Sequence, residues 1–201
     1  MFYRPKDGHH LPHNPFNSIV TPRPIGWISS RDANGVDNLA PYSFFNAIAY
    51  QPPQVMFAST GVKPDQESSK DSVSNARNTG VFCVNIVAYD MRHAMNKSSE
   101  KLPADIDEFD YAGIEKVECT TINCPRVLHA PASLECETKQ IIQLDGEANF
   151  LVIGEVIGVH LQDDCIVDGL VDITTYKPLT RLGYRNYSAI AEVFTLIRPD
   201  D

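Results

Sequence analysis

The sequence predicts a mainly β protein, a barrel accompanied by a few short helices, and three observations lead there. Runs rich in β-branched and aromatic residues recur along the chain, most of them are separated by hairpin-type turns, and helical patterns are few and short. At 201 residues, with 43% hydrophobic and 21% charged side chains, the chain fits one domain over residues 1–201 with its own core.

The elements follow in order. The run SIVTPRPIGWISS, from Ser18 to Ser30, is broken by two prolines and reads as an irregular or edge strand. The turn RDANGVDN carries Asn34 and Gly35, a pair that closes hairpins, so the next strand, LAPYSFFNAIAY, returns beside the first. Pro52 and Pro53 end it before a short strand, QVMFAST. In ESSKDSVSNARNTG the period changes: Ser68 or Ser69 caps, Asp71 sits in the first turn, and Gly80 stops a helix of about ten residues. VFCVNIVA is then a buried strand, and Asp90 caps a second short helix, DMRHAMNKSS. Residues 101–126 are acidic and turn-rich, a surface excursion. Strands at 127–144 and 149–161 flank the turn DGEAN, and a strand at about 187–198 closes the chain.

Seventeen basic residues against twenty-six acidic ones leave a formal net charge of -9, which argues against nucleic acid and anionic lipid as partners. A phosphate-bearing small molecule needs only one local cluster of donors and cations. The first residues contain no apolar leader, and the most apolar stretch, FLVIGEVIGVHL, is interrupted by Glu155 and is too short to span a membrane, so a cytoplasmic location is expected. The five cysteines, Cys83, Cys119, Cys124, Cys136 and Cys165, form no CxxC pair. They read as buried thiols of a reducing compartment rather than metal or redox groups.

Catalytic signatures are missing: there is no GxSxG, HExxH or P-loop, and no metal site can be built from the six histidines. His9, His10 and His13 lie in a polar N-terminal stretch, and His93, His129 and His160 fall in separate elements, as packed or surface residues. No catalytic side chain is assigned. That pattern suits a protein whose cofactor carries the reaction.

The segments TPRPIGWISSRDANGVDNLAPYSFFNAIAYQPPQVMFAST and SKDSVSNARNTGVFCVNIV, followed by MNKSS, DEFDYAGI, FLVIGEVIGVHL and PLTRLGYRNY, resemble the flavin reductase-like family of FMN-binding split β-barrels. The likeness runs from about residue 15 to about residue 195. It implies a Greek-key type split barrel, a homodimer with FMN near the subunit interface, and NADH or NADPH as reductant. It also implies that the flavin lies against the strand carrying Ser43, Phe44 and Phe45. Strand alternation directs at least one of the two phenylalanines into the core.

The resemblance further implies that the FMN phosphate meets Ser59, Thr60, Lys70 and Ser72, after QVMFAST and at the start of the following helix. A helix N-terminus and a lysine favour an anion there. Read without the resemblance, the same residues also suit ordinary helix capping with a solvated lysine. Arg23, stiffened by two prolines, is a candidate for the ribityl chain or phosphate and equally suits a surface arginine. Asn38 and Asn46 either bond the flavin or terminate strand pairing. Trp27 reads as core. Arg181 and Tyr187 belong to the site rim or the dimer only by analogy. Two positions depart from shorter family members: Tyr42 stands where they carry asparagine, and Asn149 and Phe150 stand where a histidine often leads into the IGEV-type strand. Three functions compete on this reading: an oxidoreductase passing electrons from NAD(P)H through FMN to free flavin, a monooxygenase partner or another redox acceptor; a flavoredoxin-like electron carrier; and a flavin-free barrel. With no GxGxxG fingerprint, the choice between NADH and NADPH stays open.

Overall fold

The computed structural model describes residues 1–61 and 69–199. In chain order the elements are α1 (Phe16–Ile19), β1 (Arg23–Pro24), β2 (Gly26–Arg31), β3 (Asp37–Tyr42), β4 (Phe45–Tyr50), β5 (Pro53–Ser59), α2 (Asp71–Thr79), β6 (Val81–Ile86), α3 (Arg92–Lys97) and α4 (Glu108–Ala112). There follow β7 (Lys116–Glu118), β8 (Pro125–Val127), β9 (Ala132–Gln143), β10 (Phe150–Leu161), β11 (Ile166–Val167), β12 (Leu170–Val171), β13 (Leu179–Arg181) and β14 (Tyr187–Ala189).

Seven strands form one sheet in the order β3-β2-β6-β9-β10-β5-β4, with every neighbouring pair antiparallel. Its two edge strands, β3 and β4, are consecutive in the chain and joined only by Ser43 and Phe44. Such a link spans at most about 11 Å, whereas the edges of a flat seven-stranded sheet lie about 29 Å apart. The sheet therefore has to curl until its edges meet. At the seam the Ala58 amide of β5 donates to the Phe44 carbonyl at 2.7 Å, but β3 and β4 do not pair. A barrel with one open seam results: a split barrel.

Alternation along the strands fills two cores. Ile28, Phe45, Val55, Phe57, Phe82, Val84, Phe150 and Val152 pack together with Val73 and Ala76 of α2. Ile25, Trp27, Leu39 and Val87 face the other way, against Met95 of α3, Phe109 of α4 and Leu179 of β13. Trp27 is fully buried, and its indole N–H donates to Ser98 Oγ at 2.9 Å.

Several expectations need correction. Residues 18–22 are not strand, because α1 and an extended link precede Arg23. The strand that follows is split, with β1 pairing to β13 while β2 lies inside the large sheet between β3 and β6. The expected strand LAPYSFFNAIAY is two strands on opposite edges, broken where the chain crosses the seam. Lys70 occupies the N-cap position of α2, and no side chain caps it; Ser69 bonds Ser74 Oγ instead, at 2.7 Å. The alternative cap, Ser68, lies outside the described residues. Residues 101–126 are more than a surface excursion, since Glu108 and Phe109 are buried under β3. The closing strand spans only Tyr187–Ala189, because the following residues have no strand partner among the described residues. The hairpin turn at Asn34 and Gly35, the Gly80 stop and the β9–β10 hairpin agree with the sequence reading.

Gly26 lets β2 pass beneath Phe45: a Cβ there stands 2.8 Å from the phenylalanine ring. Gly26→Ala should thus destabilise the fold by about 1 to 3 kcal/mol through overpacking, measured by urea unfolding. Combining it with Phe45→Leu should recover part of that loss.

Candidate functional site

The open seam holds a cavity of about 460 Å³. Its walls are Pro41 and Tyr42 from the end of β3, Ser43 and Phe44 from the joint, Ala58 and Thr60 from the end of β5, and Lys70 before α2. The small β1-β13-β14 sheet closes the remaining side with Arg23, Arg181, Leu182 and Tyr184, and the N-terminal stretch adds Asn14 and Asn17.

Three cations, Arg23, Lys70 and Arg181, line this cavity, and no carboxylate does so among the described residues. In a chain of net charge -9, that is a local reversal of sign of the kind an anion needs. Arg23 is held firmly. Its guanidinium donates to the carbonyls of Asn17, Val20 and Leu182, the last at 2.7 Å, and lies 5.7 Å from the centre of the Phe44 ring. Burial and the neighbouring Arg181, its cross-strand partner, lower its pKa, without threatening the charge of a guanidinium. Arg181 is fixed by the Tyr187 hydroxyl and the Tyr184 carbonyl. Among the described residues Arg23 Nε has no partner, nor do two nearby hydroxyls, Tyr42 Oη and Ser59 Oγ. Tyr42 lies beside Ser59 and Ser72 without a well-formed hydrogen bond, and burial pushes its phenol up to about 12. At neutral pH it is a protonated donor.

Pro41, Tyr42 and Lys70 separate the large cavity from a smaller one of about 120 Å³. The smaller one contains Asn38, Ser72 and the carboxylates Asp71, Glu100 and Glu108. Asn38 Nδ2 donates to Glu108 at 2.8 Å and its carbonyl accepts from Ser72 Oγ at 2.8 Å. These two residues are thus engaged in a buried network.

Of the residues singled out from the sequence, the seam unites Arg23, Ser43, Phe44, Thr60 and Lys70. It does not bring the others in. Phe45 points into the core, Ser59 is buried beside Tyr42, Asn38 and Ser72 face the smaller cavity, and Asn46 is exposed on β4 with its side chain on the Ala47 amide at 3.0 Å. Sequence reasoning missed Asn14, Asn17, Leu182 and Tyr184, which reach the cavity through tertiary packing. Tyr42 stood out only as an unusual residue before Ser43. Arg181, named by analogy, reaches the cavity because β13 pairs with β1.

The chemistry of this cavity is complementary to a planar aromatic ligand bearing an anionic group: an apolar wall at Phe44, donors around it, and three positive charges. Fold and site together define a split barrel with a cation-lined cavity in its seam. The chain belongs to the flavin reductase like domain family, whose model matches residues 18–179. It is 35% identical over 185 residues to an uncharacterized protein of Halalkalibacterium halodurans, covering 90% of this chain and 87% of the other. Among solved structures it resembles nitrilotriacetate monooxygenase component B from Bacillus cereus, with 29% identity, coverage of 94% of this chain and 100% of that one, and a TM-score of 0.84. It also resembles the 2-nitrobenzoate 2-nitroreductase of Pseudomonas fluorescens, with 28% identity, coverage of 92% and 88%, and a TM-score of 0.81. Among the described residues, no helix is long and apolar enough to cross a membrane.

Because the Tyr42 hydroxyl is buried without a good partner, Tyr42→Phe should leave the stability of the ligand-free protein within about 1 kcal/mol of the original or raise it. Urea unfolding checks this. A loss above about 2 kcal/mol would show that the hydroxyl is satisfied after all.

Proposed function

We propose that this protein is an FMN-dependent oxidoreductase of flavin reductase type that takes hydride from NADH or NADPH and passes electrons to free flavin or to a redox partner. A monooxygenase component is the partner suggested by the likeness to nitrilotriacetate monooxygenase component B. The observation that carries the reading is the seam beside Phe44, lined by three cations and, among the described residues, by no carboxylate. Bound there, FMN would supply the hydride-accepting chemistry. The residues of the chain bind and orient. Lys70 and Thr60 hold the phosphate, Phe44 and Ser43 support the ring, and the protonated Tyr42 hydroxyl and Arg23 Nε offer donors without a partner among the described residues. The cytoplasm is the expected setting, and residues 1–201 act as one domain. The carrier alternative differs in one property, the ability to be reduced directly by a nicotinamide dinucleotide.

The test is anaerobic mixing of the FMN-loaded protein with NADH and with NADPH, following the flavin absorbance. Rapid bleaching by either one is expected. A flavin that stays oxidised with both, yet is reduced by a protein donor, would identify the carrier instead.

For the phosphate, Lys70→Ala should weaken FMN binding by about 1 to 3 kcal/mol, the scale of a lost charge-assisted hydrogen bond, while riboflavin affinity stays the same. Equal weakening of both ligands would remove Lys70 from the phosphate site. Binding is read from flavin fluorescence.

We further propose a homodimer. The edge strand β4 is exposed from Asn46 to Tyr50, with Tyr50 at 87% exposure, and Val193, Phe194, Leu196 and Ile197 extend from the body unburied. An unpaired edge and an uncovered apolar tail are surfaces that a second copy covers. Sedimentation should give twice the 22.4 kDa chain mass; a monomer that retains full FMN affinity would contradict it.

A further inference from the structure

Away from the seam, β7 and β8 form a small hairpin whose turn runs from Cys119 to Cys124. The ladder pairs Lys116 with Val127, Val117 with Arg126 and Glu118 with Pro125. One step further it sets Cys119 opposite Cys124, and there the Cys119 amide donates to the Cys124 carbonyl at 2.9 Å. Opposed residues of this hydrogen-bonded kind have Cα atoms about 5.5 Å apart and side chains on one face of the ladder. A disulfide bridges Cα separations of about 4.4 to 6.8 Å, most often near 5.5 to 6 Å. The Cα atoms are thus within disulfide range, and closing the bridge draws the Cβ atoms in from about 5 Å to about 4 Å by a small shift of the turn.

The surroundings hold this turn in place. The Thr120 and Thr121 amides donate to the Glu135 carboxylate at 2.6 and 2.7 Å, and His160 Nε2 lies 2.5 Å from the same, fully buried, side chain. From the other side Arg31 holds Glu118 at 2.7 Å and Asn123 at 2.6 Å. Cys119 is half-buried, whereas the other four thiols are buried. The neighbouring Cys124 and Cys83 thiols hold its pKa well below that of a free thiol, while the Cys124 sulfur lies 3.3 Å from the Ser29 carbonyl and 3.4 Å from that of Pro125. Contact with Cys119 pushes Cys83 up, and burial pushes Cys124 up. A partly accessible thiol of lowered pKa thus lies across the ladder from a buried thiol of raised pKa, the arrangement of a reactive cysteine with a second cysteine to resolve it.

We propose that Cys119 and Cys124 form a peroxide-oxidisable pair that closes to a disulfide across the β7–β8 turn. The Cys119 thiolate attacks one oxygen of hydrogen peroxide. An S–O bond forms, the O–O bond breaks, and the departing hydroxide takes a proton from solvent to become water. Cys119 is left as a sulfenic acid. Cys124 then gives up its proton, and its sulfur attacks that of Cys119. The S–S bond forms, the S–O bond breaks, and hydroxide leaves with the Cys124 proton as a second water. Two thiols lose two electrons and two protons, and peroxide is reduced to two waters. A thiol reductant reverses the bridge by exchange. The site departs from the sequence reading of all five cysteines as buried, unreactive thiols.

Peptide mapping of the full chain tests this. Lys116 and Arg126 flank both cysteines, so one tryptic peptide contains them. After treatment of the reduced protein with hydrogen peroxide and then iodoacetamide, that peptide should appear unalkylated and two hydrogens lighter, and dithiothreitol should restore alkylation. Cys119→Ser should slow the oxidation of Cys124 at least about tenfold, since a thiol of ordinary pKa is mostly protonated at neutral pH. Cys124→Ser should leave a sulfenic acid at Cys119 that dimedone traps. The proposal fails if Cys119 stays as alkylatable as a cysteine never exposed to peroxide, if it bridges to Cys83 or to a second chain, or if Cys119→Ser leaves Cys124 oxidation unchanged. Should either variant not fold, the mapping of the unaltered protein decides alone.

Discussion

The two-residue joint between β3 and β4 is the constraint on which the rest of the molecule depends. Because Ser43 and Phe44 must connect opposite edges of a seven-stranded sheet, the sheet cannot stay open, and its closure cannot be complete where the chain itself passes between the edges. The seam is therefore a consequence of connectivity. The joint also explains why Phe44 faces the cavity while its neighbour Phe45 enters the core. Strand β4 begins at Phe45, beneath which Gly26 leaves space for the ring.

Polar groups inside the molecule divide into satisfied and unsatisfied sets. Asn85, fully buried on β6, donates to the Trp27 carbonyl and Ser29 Oγ and accepts from the Val127 amide and Ser133 Oγ, all at 2.9 to 3.0 Å. It ties β2, β6, β8 and β9 together with no bonding capacity wasted. Glu108 does similar work for α4, accepting from Asn38 and from the Leu39 amide at 3.0 Å. By contrast, Arg23 Nε and Tyr42 Oη at the seam, Ser59 Oγ behind it, and Ser18 Oγ, Arg126 Nε and Thr138 Oγ1 elsewhere are without partners among the described residues. Buried polar groups cost free energy when unpaired, and two of these atoms belong to residues that line the cationic cavity.

Charge follows the same logic. Lys70 and Tyr42 stand on the wall between a cavity lined by cations and a smaller one lined by Asp71, Glu100 and Glu108. Lys101 also lines the smaller cavity and offsets part of its acidic charge, so an anion is favoured on the first side of the wall more than on the second. Ser72, though it begins α2 where helix amides favour anions, lies on the acidic side and is bonded to Asn38. The helix start alone does not define the cationic cavity, since Arg23 and Arg181, brought by β1 and β13, line it as well.

Local chemistry was legible in the sequence. The Asn34 and Gly35 hairpin, the Gly80 stop of α2, the β9–β10 hairpin and the burial of Trp27 depend on residue type and immediate neighbours, and strand-rich patterning gave the mainly β class. The list of quoted segments carried the family. What only the tertiary structure decided was non-local: that LAPYSFFNAIAY is two strands on opposite edges, that Arg181 pairs with Arg23, that Asn38 and Ser72 leave the large cavity, and that Cys119 faces Cys124. Propensity and periodicity act over a few residues and say how a segment folds, whereas strand order and seam position depend on which distant segments bury one another's apolar faces. The sequence by itself thus determined the elements and the kind of protein they build, and closure of the sheet decided which side chains share a cavity.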